Sequence, residues 1–562
     1  MTSAGLVNIS EADDVTLADV DTADGSITVT AGGTITATDV ASLTDKDGND
    51  ITLTASSGDI VVGTVTAGAT HGDVTLTSTA GSIKQGDATA QVTGTDVKLT
   101  AGTTIGATDA RLGTKAGTIE FTAGGNVYIT EADGVTVAGK TTANNGLIDI
   151  KTTGGTLTVG AVGDQTGLSA HGSGSVTLVA QGDDSDVEVK QKVSSGSGKI
   201  SVTAADAVSL DEGLTTGGGK VTVTATGGDV TSKDAGTIKT TAAANSGTAS
   251  GAVDVNAGGA VNLAGAITTA GAANNNGAGS DGGTVTVTTT DGAVTLAAVT
   301  TSGGASTSAG ANGGNAGNIT VTSGDAGDDA THDISLSGTL TALGGAAGPG
   351  GTDGTDGMVV LNADGAIIDQ QNDKVGHDDE GFAKQTASPP DDDRVVNIAA
   401  GQLKLTAKGD IGAAGNPLDI TVDTLAAQSA NGSIYLYETD ALTIGTVDGL
   451  SGVTADNHAK VETIDGTLTV DQAVKATKGD VLLAANDQTP EAAPFSDVIL
   501  KAGVTAGGNV TVLARDSVEQ KVVREHGREG RQRGLRGREP RQARLRHDGG
   551  RRQGRPGRPG RR

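Results

Sequence analysis

The chain has 562 residues; 90 are Gly, none is Cys or Trp, and six Phe and Tyr leave aromatics at 1% and apolar residues at 35%. That composition excludes a set of conventional α/β enzyme domains, whose cores need bulky side chains, and nine Pro with no three-residue Gly period exclude collagen. The formal charge of −28 is unevenly spread: residues 1–520 carry 23 basic and 63 acidic groups, residues 521–562 sixteen and four. An acidic body of this kind repels nucleic acid and anionic membranes and attracts divalent cations. Without Cys there are no disulfides, thiolate metal sites or Cys nucleophiles. No apolar run approaches the roughly 20 residues that span a bilayer. Met1–Asn8 has no basic segment leading into an apolar one, so no secretory signal is visible.

In chain order, the predicted elements are short strands. Ser26–Thr30, Asp73–Thr77, Lys220–Thr224 and Thr284–Thr288 alternate Thr with Val, Ile or Leu and are closed by Gly, Asp or Asn. Period-two alternation of β-branched residues predicts strands with one buried and one wet face, and Gly-Gly, Asp-Gly and Asn-Gly pairs mark the turns. Strand starts about 8 and about 14 residues apart give a coil of roughly 20 to 30 residues, a solenoid period. No segment has a helical period. A β-sandwich also uses many short strands, but its two facing sheets need bulky residues. A parallel β-helix stacks Val, Leu, Ile and Ala around a narrow axis, so the composition selects the solenoid.

Longer similarities recur. Val97–Ala101, Ile105-Gly106-Ala107 and Leu112 return as Leu403–Ala407, Ile411-Gly412-Ala413 and Leu418; Tyr128–Val137 returns as Tyr435–Ile444, and Asn8–Leu17 is a third copy. The first copy starts with no capping element before it, which reads as a piece of a longer array. Thr268–Gly283, Thr300–Asn318 and Leu343–Gly357 read as Gly-rich loops. Asp369–Arg394 reads as a longer polar loop that interrupts the solenoid, dividing it into residues 1–368 and 395–520.

Gly365–Asp369, Val396–Leu405, Asn416-Pro417-Leu418, Thr424–Ala427 and Gly432–Leu436 resemble the repeat units of filamentous-haemagglutinin-like giant bacterial surface proteins. The resemblance covers most of residues 1–520. It implies an elongated, right-handed parallel β-helix and export to the bacterial outer surface or the medium. It also implies a non-catalytic role in adhesion. The partners it implies are glycans or proteins of a host cell, neighbouring cell or matrix, met through the loops, and further repeats of a parent chain. No membrane insertion by this segment is expected.

The candidate chemistry is sparse. The recurrent Glu-x-Asp of Glu11/Asp13, Glu131/Asp133 and Glu438/Asp440 places two carboxylates at strand spacing. Such a pair serves a turn or strand edge, binds Ca²⁺, or does acid/base work. Recurrence along the chain favours the turn, with Glu131, Asp133, Glu438 and Asp440 as the Ca²⁺ candidates and no other cofactor expected. Tyr128, Tyr435 and Tyr437 are expected to stack on a neighbouring coil rather than form a sugar platform. The seven His show no metal-ligand spacing and read as surface residues. Gly219-Lys220-Val221 lacks the rest of a phosphate loop, and Gly350–Gly357 hints at a Ca²⁺-binding nonapeptide that no tandem follows. Thr-x-Thr strands order water only where they stack on successive coils, and the variable coil length argues against that here. The rival functions are a polysaccharide-active β-helix enzyme and a Ca²⁺-dependent surface-layer or matrix component. Residues 521–562, with 15 Arg and no strand pattern, read as a disordered basic tail; GC-rich Gly, Ala, Asp and Val codons read one base out of register give Arg, so a frameshifted repeat explains it.

Overall fold

A strand that buries every second residue and must pair on both edges closes into a coil when its neighbours are the preceding and following turns of the same chain. The computed structural model, which describes residues 1–326, 332–371, 395–486 and 496–521, has this architecture throughout. It is an all-β parallel β-helix with no helix among the described residues, and fifty strands belong to one continuous sheet. The polar loop expected at 369–394 lies outside the described residues from 372 onward, as does the basic tail from 522. Residues Met1–Lys521 form one contact unit.

Register is held from coil to coil. One column runs Val7, Ile27, Ile51, Val74, Val97, Ile119, Val137 and Val159, each paired with the next. It continues through Val189, Leu210, Ser232, Leu263, Leu296 and Leu336 to Asp369. From Ile367 the stack goes on through Ile411, Ile434, Ala459, Val481 and Val510. These are about twenty rungs, which at about 4.8 Å each make a stack on the order of 100 Å long. Coil-to-coil spacing nevertheless ranges from 17 residues, Leu112 to Ile129, to 58, Leu340 to Ile398. The corners absorb the difference and the strands do not.

In Ile27–Ala31 the residues Ile27, Val29 and Ala31 are buried while Thr28 and Thr30 face outward. The column neighbours repeat this, so each such strand adds two or three aliphatic side chains to a continuous core, a Val, Ile or Leu being worth about 1.5–3 kcal/mol when fully buried. The interior has little room for larger groups. Phe121 fits because Gly139 sits on it one coil later; a Cβ on Gly139 would lie 2.6 Å from the ring. Many inner positions at strand ends hold Ala, Ser or Thr. The buried hydroxyls turn back to glycine carbonyls at the corner: Thr22 donates to Gly25 O, Thr141 to Gly146 O and Thr216 to Gly219 O, each at 2.6 Å. Because corners rather than strands vary in length, Thr28/Thr30, Thr52/Thr54 and Thr75/Thr77 do stack in register. That run stops where Lys98 follows Thr75.

The Gly-rich segments depart from the sequence reading. They are not separate loops but layers of one ordered fin, built by 269–283, 301–317 and 342–357 above a shorter layer at 241–250. Outgoing legs donate to the next layer at Gly271 N to Ser302 O, Asn274 N to Ala305 O, Gly303 N to Leu343 O and Ser306 N to Ala346 O, all at 2.8–2.9 Å. Returning legs do the same at Gly279 N to Asn312 O, Gly282 N to Asn315 O, Gly313 N to Thr352 O and Ala316 N to Thr355 O. Donors every third residue follow the period of extended polyproline-type chains, not of strands. The two legs touch through glycine backbones. A Cβ on Gly303 would stand 1.8 Å from Gly314 O and one on Gly344 1.9 Å from Gly354 O, while one on Gly314 would stand 1.9 Å from Ser280 O of the layer before, so no side chain fits there.

The last layer closes the fin. Gly344 N and Ala347 N, the counterparts of Gly303 N and Ser306 N, donate instead to Asp356 Oδ1 at 2.6 Å and Asp353 Oδ1 at 2.7 Å. The Asp-Gly-Thr-Asp segment that suggested a Ca²⁺ nonapeptide thus supplies the acceptors that a further layer would have brought. Gly314→Val is expected to cost about 1–3 kcal/mol or more by overpacking, read as a lowered midpoint in thermal melts, while Ala305→Ser on the exposed face leaves the midpoint unchanged. Asp353→Ala combined with Asp356→Ala uncovers two backbone donors on a flat edge. It is expected to make the sedimentation coefficient rise with concentration, as the wild type does not.

Candidate functional site

The chemistry-bearing side chains of this fold sit at its corners, where backbone N–H groups leave the strand ladders. Aspartates preceding a strand accept from the equivalent turn one coil later: Asp14 from Thr34 N at 2.6 Å, Asp59 from Ser82 N at 2.7 Å, Asp229 from Ala260 N at 2.7 Å and Asp410 from Ser433 N at 2.6 Å. Asn126 and Asn145 do the same for Leu147 N and Ser173 N. Much of the acidity therefore has a structural use, since a carboxylate at such a corner is a strong acceptor for an otherwise unpaired donor. The Thr70 hydroxyl and the N–H groups of His71 and Thr70 hold the Asp45 carboxyl below its usual range. Hydrogen bonds from Lys46 and Asn49 do so for Asp24.

The Glu-x-Asp motif does not place its two acids on one face. Glu131 ends the strand Val127–Glu131 and is fully buried, whereas Asp133 lies beyond it in an exposed turn. Glu131 Oε1 accepts from Ala132 N at 2.9 Å and Ala116 N at 3.2 Å; Oε2 is enclosed with no hydrogen-bond partner. Burial pushes its carboxyl up to about 7 despite the hydrogen bonds from Thr114 and the backbone. Glu438 repeats the arrangement, accepting from Val422 N at 3.0 Å and Asp440 N at 3.3 Å, with Asp440 exposed. Burial, and secondarily the Asp440 carboxylate, push it up to about 9. Glu11 makes the same turn with Ala12 N at 2.8 Å, but it is exposed. The motif is a turn device in all three copies. The four Ca²⁺ candidates split into two interior glutamates bound to N–H donors and two aspartates in the outer turns.

Around Glu131 and Glu438 the chain repeats a whole module. Gly106 and Gly412, at φ of 63° and 64°, turn the chain between two long strands, and an antiparallel bridge closes each turn, Ala107 to Ala110 and Ala413 to Asn416. The long strands are Gln91–Ala101 with Leu112–Ala123, and Ile398–Ala407 with Leu418–Ser429. Antiparallel hairpins, Ala161–Val162 with Gln165–Thr166 and Thr446–Val447 with Leu450–Ser451, follow in both copies. Each hairpin tip meets a lysine of the first long strand: Lys98 Nζ lies 3.7 Å from Asp164 Oδ2, and Lys404 Nζ 2.9 Å from Asp448 Oδ2. The hairpins escaped the sequence comparison because they do not share the offset of the strands. Tyr128 and Tyr437 carry cations rather than rings: the Arg111 guanidinium is 5.9 Å from the Tyr128 centroid and Lys460 Nζ 4.9 Å from that of Tyr437. Arg111 also donates to Ile129 O at 2.7 Å and pairs with Asp149 at 2.9 Å, tying successive coils.

Among the described residues, one set brings three metal-ligating groups within 4.8 Å of one another: Asp291, Asp325 and His332. Spacing in the sequence hid it, because the coil brings residue 332 over residue 291. His332 Nε2 lies 2.9 Å from Asp291 Oδ1, so the imidazole already has an acidic partner and is not a plain surface His. Two open grooves cross the neighbouring coils. One, of about 350 Å³, includes Thr322, Asp364, Lys408 and Gln428; the other, of about 530 Å³, includes Asn318, Asp356, Gln402 and Asp423. Asp364 pairs with Lys408 at 2.5 Å and Asp356 caps the fin. No helix of the described residues is long and apolar enough to cross a membrane. Compared with family models, curated proteins and solved structures, the chain finds no match in any of the three.

The lowered Asp24 and Asp45 carboxyls weaken the fold toward acid. Their stabilisation is present above the ordinary aspartate range and is lost as pH falls through their depressed values. The thermal midpoint is expected to drop steadily from pH 5 to pH 2.5, and Asp45→Asn, which cannot titrate, to flatten that slope.

Proposed function

We propose that residues 1–521 are a non-catalytic scaffold, a stiff stalk and display segment of a large secreted or cell-surface bacterial adhesin. The observation that carries this reading is the register column from Val7 to Asp369, in which each rung pairs with the next although the corners between them vary widely. A stack of this kind transmits load through backbone ladders and leaves corners free to differ. The fin and the grooves beside it are the places where the surface departs from the plain coil, and contacts with matrix or cell-surface glycans or proteins fall there. The commitment of corner carboxylates to backbone donors supports scaffold over catalysis, since acid/base work needs carboxylates free to face a substrate.

The test uses the full chain. Coated on beads, it is expected to retain bacterial or host cells or their matrix, and under tension to extend at high force without early steps. Release of reducing ends from a panel of polysaccharides would instead favour the polysaccharide-active rival, and a midpoint climbing steeply with added calcium the surface-layer one.

A further inference from the structure

The fold buries two carboxyl groups that accept from N–H donors of the corner and have no cation opposite them. Glu131 and Glu438 occupy the same position in the two modules, at the step where a long strand passes its pairing to two shorter ones. Leu112–Ala123 pairs with both Val127–Glu131 and Val135–Thr141, and Leu418–Ser429 with both Ile434–Glu438 and Leu442–Ile444. The corner must close over the glutamate for the long strand to seat. In doing so it removes Glu131 and Glu438 from water altogether.

The groups facing them are nearly all neutral. Glu131 meets the Thr114 hydroxyl and Ala116 N–H from the coil before, Ala132 and Asp133 N–H from its own turn, and Thr152, its register partner, from the coil after. The Thr152 hydroxyl is turned to Gly155 O at 3.1 Å. Glu438 meets Val422 N–H, Asp440 and its register partner Thr463, whose hydroxyl donates to Gly466 O at 2.9 Å. Lys460, on the strand paired after it, is engaged with Tyr437 and Glu462. Among the described residues no Lys, Arg or His pairs with either glutamate. A carboxylate here would be an enclosed anion with only backbone and hydroxyl donors, and for Glu131 one oxygen would have none.

We propose that the two modules are acid latches: each corner closes over a protonated glutamic acid and works loose when alkaline conditions ionise it. The inference rests on the fold and not on the scaffold function. The direction follows from linkage. A carboxyl raised in the folded state makes folding weaken as pH climbs above the ordinary glutamate range, and the weakening levels off above the folded value, about 7 for Glu131 and about 9 for Glu438. Opening at the second corner is therefore favoured by pH over a wider span than at the first. Strands between the modules, such as Ile200–Ala204 and Val221–Ala225, bury no carboxyl and lack this dependence.

Amide hydrogen exchange on the full chain, corrected for intrinsic rates, tests this at pH 5, 7 and 9. Protection of Leu112–Ala123 and Leu418–Ser429 is expected to fall by about tenfold or more relative to Ile200–Ala204 as pH rises, the second segment over the wider span. Glu131→Gln, which keeps the acceptor and cannot ionise, removes the effect from the first segment alone, and Glu438→Gln from the second alone. Equal pH dependence in wild type and both variants overturns the proposal. A second readout does not depend on how well the variants fold: the infrared carbonyl band of a protonated carboxylic acid persists in the wild-type chain at pH 7.5. Absence of that band at pH 7.5 also overturns it.

Discussion

Along the stacked strands of the described residues, each backbone donor looks for its acceptor about one coil away. Within strands the ladder provides it, and because main-chain pairing asks nothing of side chains, the interior is filled by whatever aliphatic group is small enough. At corners the ladder is interrupted, and there the side chains take over. Aspartate and asparagine caps, threonine hydroxyls returned to glycine carbonyls, and glycines that let two backbones touch all meet the same requirement. The composition follows: few aromatics because the axis is narrow, abundant Thr because outward strand positions favour β-branched residues, abundant Asp and Gly because the chain turns so often.

The strands were legible in the sequence because a period of two survives any change of loop length. Ile27–Ala31 and Val221–Ala225 could be read directly, and so could the repeat of Val97–Leu112 in Leu403–Leu418. The fin could not. Its segments repeat every three residues and carry no hydrophobic signal, so Thr300–Asn318 looks like a polar loop until its neighbours in space are known. The Glu-x-Asp motif was legible as a turn, but the burial of its glutamate was not: spacing by two puts residues on one face only while the strand continues, and at Glu131 it ends. His332 and Asp291 lie 41 residues apart, a separation that means contact only when the length of that particular coil is known.

Where the chain leaves the regular coil, it supplies its own closure. The fin ends on Asp353 and Asp356, the hairpins are pinned by Lys98 and Lys404, and Arg111 ties coils together at Ile129 and Asp149. Such local closures keep exposed edges from recruiting other chains.

Keeping strand register independent of corner length has a genetic consequence. Unequal crossing-over between two coils adds or deletes whole rungs and disturbs only the contacts at the junction. Changes of corner length leave the ladders in register. A chain built this way can change its span in single steps and drift in sequence while the cross-section of the stack stays the same.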